Sequence, residues 1–438
     1  MARSLNRDIL WLALPAFGSL VVEPLFIAID SVMIGHLGVP QLAGLGIASS
    51  VLQTLVGLMV FLAYSTTPAV ARMFGAGNNR EAVSRGIDGM WLALGIGGVL
   101  AVVGYLCSPW AVSLFGPTEA VAEQAEIYLS LSMWGLPAML IVFAATGLLR
   151  GMQNTVTPLW IAGFGFGANA LLNWLFIYGF GWGIAGSAAG TVVAQWGMVV
   201  AYVVIAARLA KRYGSGAAPS RAGVRGTART GGWLFLRTAA LRLGLLITVA
   251  TATALGTEEL AGWQIAFTIG TIAAFALDSL AIAAQALIGK HLGSGDEDSV
   301  RFVLSRTVAW GASAGAVLGL VIAATSPVAG LAFTGEWHMS WLALPALVLM
   351  GVLQPVAGIV YVLDGVLMGA NDSRYLALAG AVGLVPFVVY LLIVLMAQPT
   401  GSWGLMLVSF GFYGVLMGMR WWTLARRVKG SAWLHNAA

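Results

Sequence analysis

Long apolar runs dominate this sequence and limit what it can fold into. Of its 438 residues, 59% are hydrophobic and only 9% are charged, which leaves too little polar surface to cover a water-soluble globule. A membrane-spanning helix needs about 20 mostly apolar residues, so a chain of this length accommodates roughly twelve spans with short loops. We therefore predict an all-α polytopic membrane protein without a sizeable soluble domain.

Loop signals divide the apolar runs into twelve predicted spans. Their approximate bounds are 8–34, 43–71, 86–107, 123–149, 158–178, 184–208, 233–255, 260–289, 302–325, 340–369, 374–397 and 402–425. The first run is too long for the core of a signal peptide and is interrupted by Pro15, Glu23 and Asp30. We therefore expect it to be retained as the first span.

Basic residues alternate from loop to loop. The loops that follow even-numbered spans carry arginine or lysine, such as Arg72, Arg150 and Lys290, whereas the odd-numbered loops carry acids such as Glu119. Basic loops of membrane proteins lie in the cytoplasm. The pattern predicts cytoplasmic termini and, with the arginine-rich composition, a bacterial cytoplasmic (inner) membrane. It also accounts for the net charge of +5 without nucleic-acid binding.

The two halves of the chain resemble each other at one shared spacing, close to half the length. The matching pairs are Ala43-Gly44 with Ala261-Gly262, Ile47-Ala48 with Ile265-Ala266, Gly75 and Gly77 with Gly293 and Gly295, Pro137 with Pro355, and Gly151 with Gly369. Six spans per half place both halves in the membrane in the same direction, as parallel repeats. We predict six-helix lobes at 1–209 and 231–438, joined by a basic cytoplasmic linker at 210–230 that lets them move independently.

Five charged residues fall inside the predicted spans, where each costs at least ~2.5 kcal/mol and is a functional candidate by default. They are Glu23, Asp30, Arg242, Asp278 and Asp364. Arg242 could reach either aspartate of the second lobe, so a structural ion pair is one interpretation. A substrate cavity or polar site formed by Asp278, Asp364, Arg242, Gln285 and Glu23 is the other.

Asp30 has no basic residue within reach in its own lobe. Its predicted polar partners are Asn169 and Asn173, which share a face of span five, and Thr191 in span six. Apolar surroundings disfavour a charged carboxylate, so we expect proton uptake near neutral pH. The alternative is a carboxylate held permanently by amide donors.

Two prolines interrupt the span that carries Asp30. Pro15 and Pro24 each remove a backbone hydrogen bond from the helix. Span one should therefore be able to bend.

Several motifs together resemble the multidrug and toxic compound extrusion family, and specifically its DinF branch. In the first half they are Leu14-Pro15-Ala16, Glu23-Pro24-Leu25, Asp30-Ser31-Val32-Met33-Ile34-Gly35-His36-Leu37-Gly38, Leu149-Arg150-Gly151, Gly179-Phe180-Gly181-Trp182-Gly183 and Gly186-Ser187-Ala188-Ala189-Gly190-Thr191. In the second half they are the stretches 277–287 and 363–366. Motif order, loop spacing and the internal repeat agree over nearly the whole chain.

The resemblance implies a V-shaped pair of six-helix lobes and antiport of amphiphilic, often cationic, compounds against protons or sodium. It assigns the coupling role to Asp30, with Asn169, Asn173 and Thr191 around it. Some relatives carry a second acid where this chain has Asn173, and a tyrosine where it has Phe26. With that acid missing, simple protonation of Asp30 is favoured over a sodium site.

The predicted function is export of organic, cationic or amphiphilic compounds in exchange for protons, by a monomer that needs no cofactor or resident metal. A sodium-coupled exporter of the same family is one alternative. A flippase for lipid-linked precursors is another, although it should present many buried basic groups. A membrane-embedded enzyme is disfavoured because the chain lacks HExxH, paired-aspartate and GxSxG-like motifs.

Overall fold

The computed structural model describes the backbone of residues 2–435 and all their side chains except those of 2–4, 23 and 26. The predicted roles of Glu23 and Phe26 therefore lie outside the described side chains. The helices are α1 Ala2–Gly35, α2 Val39–Met59, α3 Phe61–Gly75, α4 Asn79–Ser113, α5 Glu119–Met133, α6 Leu136–Gly151, α7 Val156–Trp174, α8 Gly183–Tyr213, α9 Arg221–Leu255, α10 Thr257–Gly293, α11 Glu297–Thr334, α12 Trp337–Gly369, α13 Ser373–Ala397, α14 Gly401–Phe410 and α15 Met417–Lys429. Single π-helical turns at Leu175–Gly179 and Gly411–Leu416 extend α7 and join α14 to α15.

These helices supply the predicted number of spans. Eleven stretches of the described chain are long and apolar enough to cross a membrane, and the pair α5 and α6, bent by 47°, supplies a twelfth. Within residues 2–435 there is no β-strand. The prediction of an all-α, twelve-span membrane protein is thus confirmed. Helix α1 runs without interruption through Pro15 and Pro24.

Side chains that would be buried in a soluble protein are exposed along these helices. Leu106 and Phe164 are each 71% exposed, and Leu320 is equally so. Such extensive apolar surface is stable only against lipid, which solvates hydrocarbon side chains but not backbone polar groups. The interior instead contains small residues and a few aromatic anchors such as Trp263, which contacts Phe412 and Tyr413.

The described chain forms two compact units. One comprises residues 14–231, and the other residues 2–13 together with 232–435. Two helices belong to both units, since α1 changes unit after Ala13 and α9 changes unit after Gly231. The crossing point in α1 is two residues before Pro15, and that in α9 is a Gly231-Gly232 pair.

The segment predicted as a flexible linker is largely helical and attached to the first unit. Only residues 214–220 lie between α8 and α9. Asp88 of α4 accepts hydrogen bonds from the backbone nitrogen and the hydroxyl of Ser220, at 2.7 and 2.9 Å. The indole nitrogen of Trp91 donates to the carbonyl oxygen of Ala217 at 3.0 Å. These contacts and the helical start of α9 order most of residues 210–230, and independent movement of the two lobes about this linker stays a prediction.

Equivalent glycines bring helices together in both halves. A Cβ added to Gly97 would lie 2.5 Å from the Cα of Pro137, and one added to Gly315 would lie 2.8 Å from the Cα of Pro355. These two contacts are separated by the same spacing that relates the two halves of the sequence. Small residues allow such close approach of helix backbones in membranes. The duplication is therefore visible as repeated helix contacts.

A second pair of glycine contacts follows the same spacing. A Cβ on Gly147 would lie 2.9 Å from the carbonyl oxygen of Ala63, and Gly365 makes the corresponding approach to the carbonyl oxygen of Ala281. The repeated sequence positions of the two halves thus perform the same packing task. The predicted pair of six-helix repeats is confirmed at the level of individual contacts.

Candidate ion-coupling site

Asp30 lies near the end of α1 and is only 4% exposed. Its Oδ1 accepts hydrogen bonds from Asn173 Nδ2 at 2.9 Å and from Ser187 Oγ at 2.5 Å. Its Oδ2 accepts one from the hydroxyl of Tyr128 at 3.2 Å. These donors belong to α7, α8 and α5, so a single carboxyl group joins four helices of the first unit.

The local sequence explains how α7 and α8 approach closely enough to share this group. The start of α8 is the small-residue stretch 186–190, and a Cβ on Gly186 would lie 2.7 Å from the backbone of Phe176. One turn further along α8, Gly190 faces the amide oxygen of Asn173. The π-helical turn of α7 begins two residues after Asn173. Such turns distort a helix locally and occur frequently at functional sites.

The surroundings of Asp30 contain oxygen atoms but no cation. None of the described basic side chains forms an ion pair with Asp30. Two buried amide oxygens, Asn169 Oδ1 and Asn173 Oδ1, have no hydrogen-bond partner among the described residues, while the hydroxyl of Thr191 lies beside that of Tyr128. The carboxylate is thus held by neutral donors, with two unpaired amide oxygens nearby.

The structure brings some of the predicted site residues into contact and leaves others in a second layer. Asn173 donates directly to Asp30. Asn169 is one helical turn away on the same face of α7 and is buried, while Thr191 is one turn beyond Ser187 on α8. Neither makes a hydrogen bond to Asp30.

Two residues that touch Asp30 were not predicted. Ser187 lies inside the motif Gly186-Ser187-Ala188-Ala189-Gly190-Thr191, so its polarity within a small-residue stretch could have identified it. Tyr128 offered no comparable signal, because its position depends on how α5 packs against α8 and on no feature of its own segment.

Protonation of Asp30 would change this hydrogen-bond pattern. The charged carboxylate accepts all three hydrogen bonds, whereas a proton on Oδ2 makes that oxygen a donor and prevents Tyr128 from donating to it. The hydrogen bond between Asp30 and Tyr128 must then either reverse its direction, with the phenol oxygen accepting, or break.

A small cavity of about 310 Å³ lies at the end of α1 beyond Asp30. Its lining includes Leu37, which follows α1, Ile127, which precedes Tyr128, and Ala185, two residues before Ser187. Asp30 lies five residues before the end of α1 at Gly35, or ~8 Å along the helix.

The second unit contains a buried ionic cluster that differs from the predicted one. Asp364 of α12 forms ion pairs with Arg420 of α15, at 2.7 Å, and with Arg237 of α9. All three side chains are less than a tenth exposed. Arg242, the predicted partner, is exposed. That prediction was wrong because Arg237, a little more than one turn earlier on α9, faces the interior instead.

Two predicted site residues of α10, Asp278 and Gln285, have different surroundings. Asp278 is half-buried, and Tyr361 interacts electrostatically with it and with both arginines. Gln285 is buried, and its backbone oxygen closely approaches Gly369. The structure therefore places Asp278 beside the Asp364 cluster, whereas Gln285 belongs to the tightly packed interface of α10 and α12.

The ionic cluster has a neutral counterpart in the first unit. At the positions equivalent to Asp364 and Arg420, the first half carries Thr146 and Tyr202, whose hydroxyl groups are hydrogen-bonded at 2.9 Å. The duplicated framework therefore keeps a polar contact at this location while its chemistry has diverged. Asp30, in turn, corresponds to Thr248 of the second half.

Comparisons with known proteins agree with this architecture. The family model MatE matches residues 15–175 and again residues 234–394. Protein DETOXIFICATION 44, chloroplastic, of Arabidopsis thaliana is 28% identical over 98% of this chain and 82% of its own length. DNA damage-inducible protein F of Escherichia coli strain K12 is 27% identical over 94% of this chain and 91% of its own. A crystal structure of the Vibrio cholerae MATE transporter VcmN in the bent form superimposes with a TM-score of 0.88, at 21% identity and 98% coverage of each chain.

Twelve spans in two homologous halves, with a buried carboxyl site in the first of them, define a polytopic membrane transporter. The MatE model covers most of the chain in two copies, so the chain belongs to the MatE family of multidrug efflux transporters. The family and branch predicted from the sequence are thereby confirmed. Members of this family are transporters of small molecules rather than enzymes, and they need no cofactor.

Proposed function

We propose that this protein exports organic compounds from the cytoplasm in exchange for protons, with Asp30 as the coupling group. The observation that supports it is the environment of Asp30, a buried carboxylate whose described partners are all neutral donors. A counter-cation would hold the charge permanently, whereas neutral donors can be exchanged when a proton arrives. Asn169, Asn173 and Thr191 are proposed to shape the site around the carboxyl group.

In this mechanism the proton alternates with the hydrogen-bond donors. Protonated Asp30 no longer accepts from Tyr128 at Oδ2, and the resulting rearrangement is proposed to loosen the contact between α1 and α5. The prolines of α1 lack the backbone hydrogen bonds that would otherwise resist bending. Bending of α1 at Pro15 or Pro24 is proposed to follow and to release the transported compound.

Sodium coupling is the second candidate, and one observation favours it. The amide oxygens of Asn169 and Asn173, unpaired among the described residues, and the hydroxyl oxygen of Thr191 are of the type that hard cations prefer. Together with the carboxylate of Asp30, they could replace part of the hydration shell of Na⁺. Proton coupling remains our proposal because, among the described side chains, Asp30 alone brings a carboxylate to this group of oxygens.

Organic amphiphiles, including lipophilic cations, are the proposed substrates. Asp278, a half-buried acid beside the Asp364 cluster, is a candidate to attract a cation. Asp364 itself is paired with two arginines. Two buried arginines, Arg237 and Arg420, were not among the predicted site residues. Both are paired with Asp364, so they do not form a cationic site for a pyrophosphate group. A flippase for pyrophosphate-linked lipids is therefore not favoured. The protein is further proposed to act as a monomer with cytoplasmic termini.

Exchange of Asp30→Asn tests the coupling role. Amide and carboxyl groups have nearly the same shape, so the variant should fold normally while proton-driven efflux falls to the level of vesicles without transporter. Efflux of a panel of lipophilic cations from everted vesicles is the measurement, and Glu119→Gln, at an exposed position of the same unit, is the control. Transport by Asp30→Asn at the wild-type rate would eliminate the proposal.

A second experiment distinguishes proton coupling from sodium coupling. Proteoliposomes are given either a pH gradient or a sodium gradient, for the wild type and for Thr191→Val. Proton coupling predicts efflux driven by the pH gradient alone, with no effect of sodium on either protein. Sodium-driven efflux, with a higher sodium requirement for Thr191→Val, would show that Na⁺ is the coupling ion.

A further inference from the structure

A groove on the second unit combines an apolar wall with two basic residues at its end. It is formed by α11, α12 and α15 and encloses about 310 Å³. Leu304, Ile359 and Leu363 supply apolar lining, and Trp421, which is 44% exposed, lies at its side. Two basic residues also line it: Arg301, the fifth residue of α11, and Lys429, the last residue of α15.

The two basic residues differ from their neighbours because, among the described side chains, neither is paired with an acid. Arg427 is paired with Asp372 at 2.6 Å, and Arg426 lies over the ring of Trp422 at 5.6 Å. Within the described chain, Arg301 and Lys429 are exposed and form no ion pair. Glu297, one turn before Arg301 on α11, lies 3.7 Å from His435.

From these features we infer that the groove binds an anionic phospholipid. Its phosphate would lie between Arg301 and Lys429, where two positive charges lack a counter-charge. Its acyl chain would run along the apolar lining, and Trp421 would lie at the level of the headgroup, which tryptophan prefers in membranes. Basic pockets between membrane helices attract anionic headgroups, at about 1 kcal/mol per basic residue, or roughly fivefold in affinity.

A bound lipid at this place would connect the end of α15 to α11 and α12. Leu363, at the bottom of the groove, immediately precedes Asp364, and α15 carries Arg420. The lipid would therefore support the helix that contributes one arginine to the buried ionic cluster. Anionic lipid should raise the thermal stability of the protein as well as bind to it.

Native mass spectrometry of the full chain, after reconstitution in phosphatidylcholine nanodiscs with or without phosphatidylglycerol, tests this inference. The wild type should retain phosphatidylglycerol through detergent extraction, and Arg301→Gln with Lys429→Gln should lower retention at least about tenfold. The matched control, Arg225→Gln with Arg229→Gln, removes the same charge from exposed positions on α9 and should retain lipid as the wild type does. Equal loss in both double variants would overturn the inference, since it would indicate general surface attraction.

A third variant distinguishes a lipid from a free phosphate group. Ser305→Trp fills the groove while leaving both basic residues in place, and Ser305→Ala controls for the loss of the hydroxyl. Phosphatidylglycerol retention should fall only in Ser305→Trp. Unchanged retention in that variant, or equal stabilisation of the wild type by inorganic phosphate and by the lipid, would overturn the lipid assignment. Neither outcome depends on transport.

Discussion

The buried charges of the two units are satisfied in different ways. Asp30 is surrounded by neutral hydrogen-bond donors, whereas Asp364 is paired with two guanidinium groups. Neutral donors can be exchanged when the carboxyl group takes up a proton. Protonation of Asp364 would instead remove the negative charge that both buried arginines share, so this contact resists proton uptake. The first arrangement suits a switch and the second a fixed contact.

Exchange of Asp364→Asn should strongly destabilise the protein. It removes the negative charge that Arg237 and Arg420 share in the buried cluster, and breaking a buried ion pair typically costs about 3–5 kcal/mol. Thr146→Val, at the equivalent position of the first half, removes a neutral hydrogen bond to Tyr202 and should cost only about 1 kcal/mol. Thermal unfolding in detergent compares the two. Equal losses would contradict a structural role for the ionic cluster.

At the scale of single helices, the close glycine contacts determine which faces can meet. Gly97 of α4 touches the backbone of Pro137, while a Cβ added to its neighbour Gly98 would have no atom within 4 Å. Gly97→Ala should therefore force α4 and α6 apart and cost roughly 1–3 kcal/mol, as overpacking does. Gly98→Ala, with the same change of composition, should be neutral or slightly stabilising. A similar unfolding temperature for both variants would refute the contact.

The helices α4 and α11 begin with equivalent caps of different chemistry. Asn78 accepts from the backbone nitrogen of Glu81 at 3.1 Å, and Asp296 accepts from that of Ser299 at 2.9 Å. Each cap follows an equivalent glycine turn, Gly77 and Gly295, with φ of 75° and 71°. The hydrogen bonds from Ser299 lower the pKa of Asp296 below its ordinary value.

This cap predicts a pH-dependent contribution to stability. Because the pKa of Asp296 is lower in the folded protein, its contribution is present above the ordinary aspartate range and is lost as the pH falls through the folded value. Asp296→Ala should therefore lower the unfolding temperature at neutral pH but have little effect in strong acid. Asp296→Asn should retain the cap and abolish that pH dependence. An Asp296→Ala effect that persists unchanged in acid would contradict a charged cap.

At the scale of the whole molecule, the alternating basic loops predict the orientation in the membrane. The last turn of α15 carries Arg426, Arg427 and Lys429, whereas the loop near Gly335 between α11 and α12 has no basic residue. Green fluorescent protein fused after residue 438 should fluoresce in bacteria, and alkaline phosphatase at the same place should be inactive. Phosphatase inserted at Gly335 should be active. The reverse pattern would show that the termini lie outside.

The two units share two helices, α1 and α9, each of which begins in one unit and ends in the other. The first residues of α1 group with the second unit, where Asn6 accepts a hydrogen bond from the indole of Trp310 at 3.1 Å. The start of α9 groups with the first unit, where Asp88 caps it through Ser220. The boundaries predicted from the sequence followed the loops, whereas the contacts divide the chain within helices.

The sequence by itself determined that lipid surrounds most of the chain, how many spans it has, that its halves are duplicated and which family it belongs to. It also singled out Asp30. These features are encoded locally, because hydropathy, glycine spacing and loop charge depend on neighbouring residues along the chain. Tertiary structure alone decided the partners: Tyr128 and Ser187 beside Asp30, and Arg237 with Arg420 instead of Arg242 beside Asp364. Helix rotation settles such choices, since a shift of a few residues along α9 turns one arginine inward and the other outward. The rotation of α9 about its own axis is set by packing against helices that are distant in the sequence, so the residues of α9 alone do not reveal it.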